Sequence, residues 1–106
     1  MNDVLQQRIK NLEKSVQNMV NAKNDAQRKA AIKFMTGRAK ELEAEQARMA
    51  QWLHDADQYI ESNRPEINDD PSNGYNQEWL ENLNDYQQVS KALQKAMDAY
   101  LNVEAA

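Results

Sequence analysis

A chain of 106 residues is long enough for one small domain with a modest single core. It is 41% hydrophobic and 28% charged with a net charge of −4, and it has no cysteine, which excludes disulfides, thiol catalysis and thiolate metal sites. Two glycines and two prolines are its only strong helix breakers, and good helix formers dominate while β-branched residues are few, so a sheet is not expected.

The charge is unevenly divided. Met1 to Lys40 carries nine basic residues against three acidic ones, a balance of +6, and the remainder carries four against fourteen, a balance of −10. Such polarity fits two arrangements: contact of the basic half with nucleic acid, or attraction between the halves, within a chain or between chains. The second is preferred. No apolar run approaches the roughly 20 residues that cross a bilayer, so no membrane association is expected. The polar start Met1-Asn2-Asp3 does not read as a signal peptide, which makes the cytoplasm the expected compartment.

The first element is a helix over about 3–22. Leu5, Ile9, Leu12, Val16 and Met19 recur at steps of four and three, and Asn2 or Asp3 supplies an N-cap. A second helix spans about 25–62. Its stripe runs Ile32, Met35, Ala39, Leu42, Gln46, Met49, Leu53, Ala56 and Ile60, a heptad pattern with Gln46 as its polar member, which predicts coiled-coil-like packing. The two stripes are displaced around the helix axis. Either the chain turns near Asn21 to Asp25, or one helix runs from Asp3 to about Ser62 and shows different faces to different partners. Asn21, Asn24 and Asp25 favour the turn. Gly37, inside the second stripe, reads as close packing or tolerated weakness ahead of a hinge.

Pro65, Pro71, Asn73 and Gly74 mark a loop over 63–75. A last helix follows over about 76–103, capped by Asn76, with the stripe Trp79, Leu83, Tyr86, Ser90, Leu93, Met97 and Tyr100. Together these elements predict an all-α fold in a single helical domain, either a three-helix antiparallel bundle or a long helical hairpin with coiled-coil-like packing.

Motifs for chemistry are sparse. Asp69 to Gly74 resembles a calcium loop only faintly, because Pro71 falls on the third ligand position and Leu80 stands where a bidentate Glu belongs. His54 is the only histidine, and zinc sites need three or four convergent ligands, so no metal site is expected. One histidine, no thiol and no Gly-rich phosphate loop leave no nucleophile–base pair, and no cofactor is expected either. The chain therefore reads as a non-enzymatic protein-interaction module: an adaptor, assembly factor or small inhibitor. Its expected partner is another protein, with a homodimer as one form of that expectation. Leu42, Met49, Trp52, Leu53, Tyr59 and Ile60 form the expected contact set, with Asp55, Asp57 and Glu61 setting selectivity. An acidic patch that adds Glu66, Asp69 and Asp70 would let the molecule occupy a basic groove on that partner. The alternative is a nucleic-acid-associated helical protein using Arg28, Lys29, Lys33, Arg38 and Lys40.

Overall fold

The computed structural model describes residues 2–62 and 74–105, with the side chains of 60–62 and 74–76 left aside. Three helices make up the described chain: α1 (Asp3–Val20), α2 (Asp25–Ser62) and α3 (Gly74–Ala105). All three pack against one another in an all-α three-helix bundle, with α2 antiparallel to both α1 and α3. The predicted boundaries shift by one or two residues: α1 ends at 20 rather than 22, and α3 runs 74–105 rather than 76–103. The loop over 63–75 falls almost wholly outside the described residues. So do Glu66, Asp69 and Asp70 of the acidic patch and the side chains of Ile60 and Glu61.

The chain turns between α1 and α2, which resolves the choice between two helices and one. Asn21 caps the C-terminus of α1, its N–H donating to Gln17 O at 2.9 Å. Asn24 then caps α2, its side-chain oxygen accepting from Gln27 N at 2.9 Å, while the Gln27 side chain accepts from Lys23 N at 3.0 Å. These side chains satisfy orphan backbone groups that a sharp turn would leave open, so neither Gly nor Pro is needed. At the other end of α1, Asn2 Oδ1 accepts from Leu5 N at 2.8 Å.

The core lies where all three helices meet. Leu5, Leu12 and Met19 of α1, Met35 and Leu42 of α2, and Val89, Ala92 and Ala96 of α3 are buried there. In α1 and α2 these residues fall on the predicted stripes. On α3 the axis of the bundle is met instead by small residues, while Tyr86, Ser90, Leu93 and Tyr100 sit half-buried on its flank and Met97 is 55% exposed. The correction has a steric cause: where three helices converge, an alanine lets backbones approach, and bulky side chains straddle the groove instead. The two polar members of the predicted stripes find each other, Gln46 Nε2 of α2 donating to Ser90 Oγ of α3. Ser15 is also buried, and its hydroxyl donates to Asn11 O at 3.0 Å, satisfying itself within the helix.

The helices differ greatly in length. α1 has 18 residues, α2 has 38 and α3 has 32, which correspond to about 27, 57 and 48 Å of axis. The molecule measures 60 × 24 × 17 Å, so α2 sets its long dimension. α1 begins beside Met49, where Asn2, Val4, Leu5, Arg8, Glu45 and Met49 enclose a small cleft. From Met49 to Ser62, a further 20 Å or so of α2, only α3 remains as a packed neighbour among the described residues.

Candidate interaction surface

Ala31, Arg38 and Glu45 form a row along α2 at seven-residue spacing, and this row faces α1. Ala31 and Arg38 line a groove with Asn11, Lys14, Ser15 and Asn18 of α1. Glu45 is joined to Arg8 of α1 and to Arg48 of its own helix. Hydrogen bonding from Arg48 is the largest influence on the Glu45 carboxyl. With Arg8 and both positive charges it outweighs the opposing desolvation and holds the group below its ordinary value of 4.5.

Trp52 and Tyr59 continue the same row by one and two further sevens, past the point where α1 begins. Trp52 is half-buried, and Tyr59 is 52% exposed. Leu53, on the α3 side of α2, is half-buried, and Ala56 is 1% exposed but stands apart from the main core. This two-helix end therefore has its own small seam and an aromatic flank beside it. Asp55 and Asp57 are exposed, and Asp55 accepts from Gln51 Nε2 at 3.0 Å. Asp55 lies toward the Trp52 flank and Asp57 toward the opposite one, given about 100° per residue.

Not every residue of the expected contact set is available. Leu42 has 0% exposure and belongs to the core, so it offers no surface to a partner. Met49 packs against the same core and is half-buried. Periodicity had placed both on one stripe with Leu53 and Ile60. Only the length of α1 separates the covered residues from those beyond it.

Sequence reasoning missed the contribution of α3. Ala92 and Ala99 belong to the three-helix core and lie away from the α2–α3 cleft that Ser90, Leu93 and Met97 line. Their register, continued backward by sevens, reaches Asp85 and Glu78. Asp85 is half-buried, and Glu78 and Glu81 are exposed. Among the described side chains, residues 50–59 and 77–85 carry five carboxylates and neither Lys nor Arg.

The five cations of the alternative reading do not share one face. Arg28 is paired with Asp25 at 2.9 Å. Arg38 is half-buried in the α1–α2 groove, whereas Lys40 lines the α2–α3 cleft on the other flank of the helix. Lys29 and Lys33 are exposed, and with Lys40 they share one flank of α2, at spacings of four and seven residues. Phe34, near them, is 65% exposed.

A shallow cleft of about 530 Å³ between α2 and α3 is lined mainly by Met35, Ala39, Leu93, Met97 and Tyr100. His54 is exposed, its Nε2 3.2 Å from Gln58 Nε2. Among the described residues no three His, Asp or Glu side chains converge as metal ligands, and no helix is long and apolar enough to cross a membrane. Compared with known proteins, the chain matches no family model, no curated protein and no solved structure.

Proposed function

We propose that this chain is a non-catalytic protein-interaction module that engages its partner through the two-helix end of the bundle. The observation that supports this reading is the mismatch in helix length. α1 covers the α2–α3 pair only as far as Met49, and beyond it Trp52 and Tyr59 continue the very row that α1 covers elsewhere. Trp and Tyr are the side chains that most often anchor interfaces, since they give large contact area with few rotatable bonds. Acidic residues around them select the partner and speed its approach.

The test is affinity capture with the intact chain, followed by mass spectrometry. Trp52→Ala and Tyr59→Ala variants, each checked for helicity, are compared with Phe34→Ser, a change of a more exposed aromatic at the other end. Loss of the captured partner in the first two and its retention in the third is expected. Retention in all three overturns the reading.

Nucleic-acid contact by the basic half is the competing reading. Arg28, ion-paired with Asp25, and Arg38, turned into the α1–α2 groove, stand off the flank that Lys29, Lys33 and Lys40 share, which weighs against it, because phosphate binding by a helix gains from all its cations on one face. Retention on DNA or RNA that falls steeply with salt would restore it.

A further inference from the structure

Arg38 and Glu45 sit one heptad apart in the row of α2 that faces α1, and α1 meets them differently. Glu45 receives Arg8 from α1 and Arg48 from its own helix. Seven residues along the antiparallel α1, the counterpart of Arg8 is Ser15, which is buried and donates its hydroxyl to Asn11 O. Arg38 is half-buried beside it, and its Nε is closed off from solvent with no acceptor among the described residues. A guanidinium partly removed from water without an acceptor is held at a cost that an arriving anion would relieve.

The groove lined by Arg38 suits such an anion. It encloses about 260 Å³ between α1 and α2. Asn11, Lys14 and Asn18, at steps of three and four on α1, form one wall, and Phe34 and Arg38, four apart on α2, form the other. Gln7 donates to Asn11 Oδ1 at 3.0 Å, which leaves the Asn11 amide N–H groups to donate. Two cations and two amides thus converge with no carboxylate on the lining. Phe34 is 65% exposed and closes one side with an aromatic ring. On the outer flank of Phe34 lies a wider groove of about 540 Å³, where Lys33 and Glu41 oppose each other in charge, so an anion is drawn to the inner side.

We propose that the α1–α2 groove binds a small organic anion bearing a flat ring, its phosphate or carboxylate held between Lys14 and Arg38 and its ring laid on Phe34. The guanidinium fork matches the geometry of such oxyanions, and an offset ring on Phe34 adds contact that a bare ion lacks. The volume suits one anionic group and one ring rather than a protein segment. Nothing at the two-helix end takes part, so this site and the interaction-module reading stand or fall separately.

The probe is phenyl phosphate, titrated into the intact isotope-labelled chain and followed by the Arg38 Nε–H and Phe34 ring resonances. Inorganic phosphate supplies the anion without the ring, and benzyl alcohol the ring without the anion. Phenyl phosphate is expected to shift both resonances saturably and to bind at least about tenfold more tightly than either control, less tightly at high salt. Lys14→Gln and Phe34→Leu, both at exposed positions and so compatible with folding, should each weaken it by about fivefold or more with helicity unchanged. Arg38→Gln should abolish the preference for phenyl phosphate over benzyl alcohol. The absence of a saturable shift at Arg38 and Phe34 overturns the proposal, as do variants that bind like the parent. Inorganic phosphate binding as tightly as phenyl phosphate means an adventitious ion only and overturns it too. An oligothymidylate that binds far more tightly through the same resonances overturns it in favour of the nucleic-acid reading.

Discussion

Arg8 of α1 donates to Glu45 of α2 across 37 residues of sequence, and Arg48 reaches the same oxygen from one turn along α2. One carboxylate thus joins the first turns of α1 to α2, in the register that the packing of Leu5, Leu12 and Met19 also holds. The Glu45 side chain is 23% exposed, so its ion pairs are screened only in part. Glu45→Gln is expected to destabilise the fold by about 1 kcal/mol or less at neutral pH.

The pH dependence of that difference has a definite sign. The folded-state pKa of Glu45 is lowered, so its contribution is fully present above the unfolded value near 4.5 and disappears as pH falls through the lowered value. Denaturant melts of the parent and Glu45→Gln chains should therefore differ at pH 7 and converge in acid below 4.5. A gap that widened on acidification would show that Glu45 is not the group being titrated.

Leu42 and Tyr59 separate core from surface on one helix. Leu42 is completely buried, whereas Tyr59 is 52% exposed. Leu42→Ala leaves a cavity among helices that cannot fully close around it and should cost about 2–5 kcal/mol. Tyr59→Ala should cost less than the loss at Leu42, because about half of the residue's surface already meets solvent. Thermal unfolding of the two variants checks the contrast. Equal losses would place Tyr59 inside the fold.

The seven-residue rows of α1 and α2 were readable in the sequence, because an apolar residue recurring every three or four positions has one helical explanation. The turn was readable from Asn21 and Asn24, whose side chains compete for backbone hydrogen bonds. The buried face of α3 was not. Trp79, Leu83 and Tyr86 outweigh Val89, Ala92 and Ala96 in any count of apolar size, yet close helix approach favours the smaller side chains. Nor could the role of Leu42 be separated from that of Leu53, since both lie on the same stripe. What distinguishes them is where α1 stops, a consequence of Asn2 capping at the level of Met49.

Gly37 lies in the covered half of α2, on its outer side. A Cβ added there meets nothing within 4 Å, so close packing within the chain does not explain the glycine. Its φ lies outside the left-handed region. Gly37→Ala should then stabilise the protein by about 1 kcal/mol through a less costly helical backbone. Calorimetry would show this as a raised Tm. A lowered Tm would mean that something outside this chain's own packing needs the small residue.

The same helix should open unevenly. Residues 35–42 of α2 are enclosed by two neighbours, with Met35 and Leu42 in the core, whereas residues 52–59 have α3 alone beside them among the described residues. Backbone hydrogen bonds on one continuous helix are alike in geometry, so any difference in their lifetime reflects the packing that must be broken to expose them. Amide hydrogen exchange should be slowest around Met35 to Leu42 and markedly faster around Trp52 to Tyr59. A partner that binds the two-helix end should slow the second set and leave the first nearly unchanged, because a ligand held by the closed form makes the opening events that would release it more costly. Uniform exchange along α2 in the free protein would mean that the two-helix end is already held as firmly as the bundle, leaving no energetic reason for a partner there.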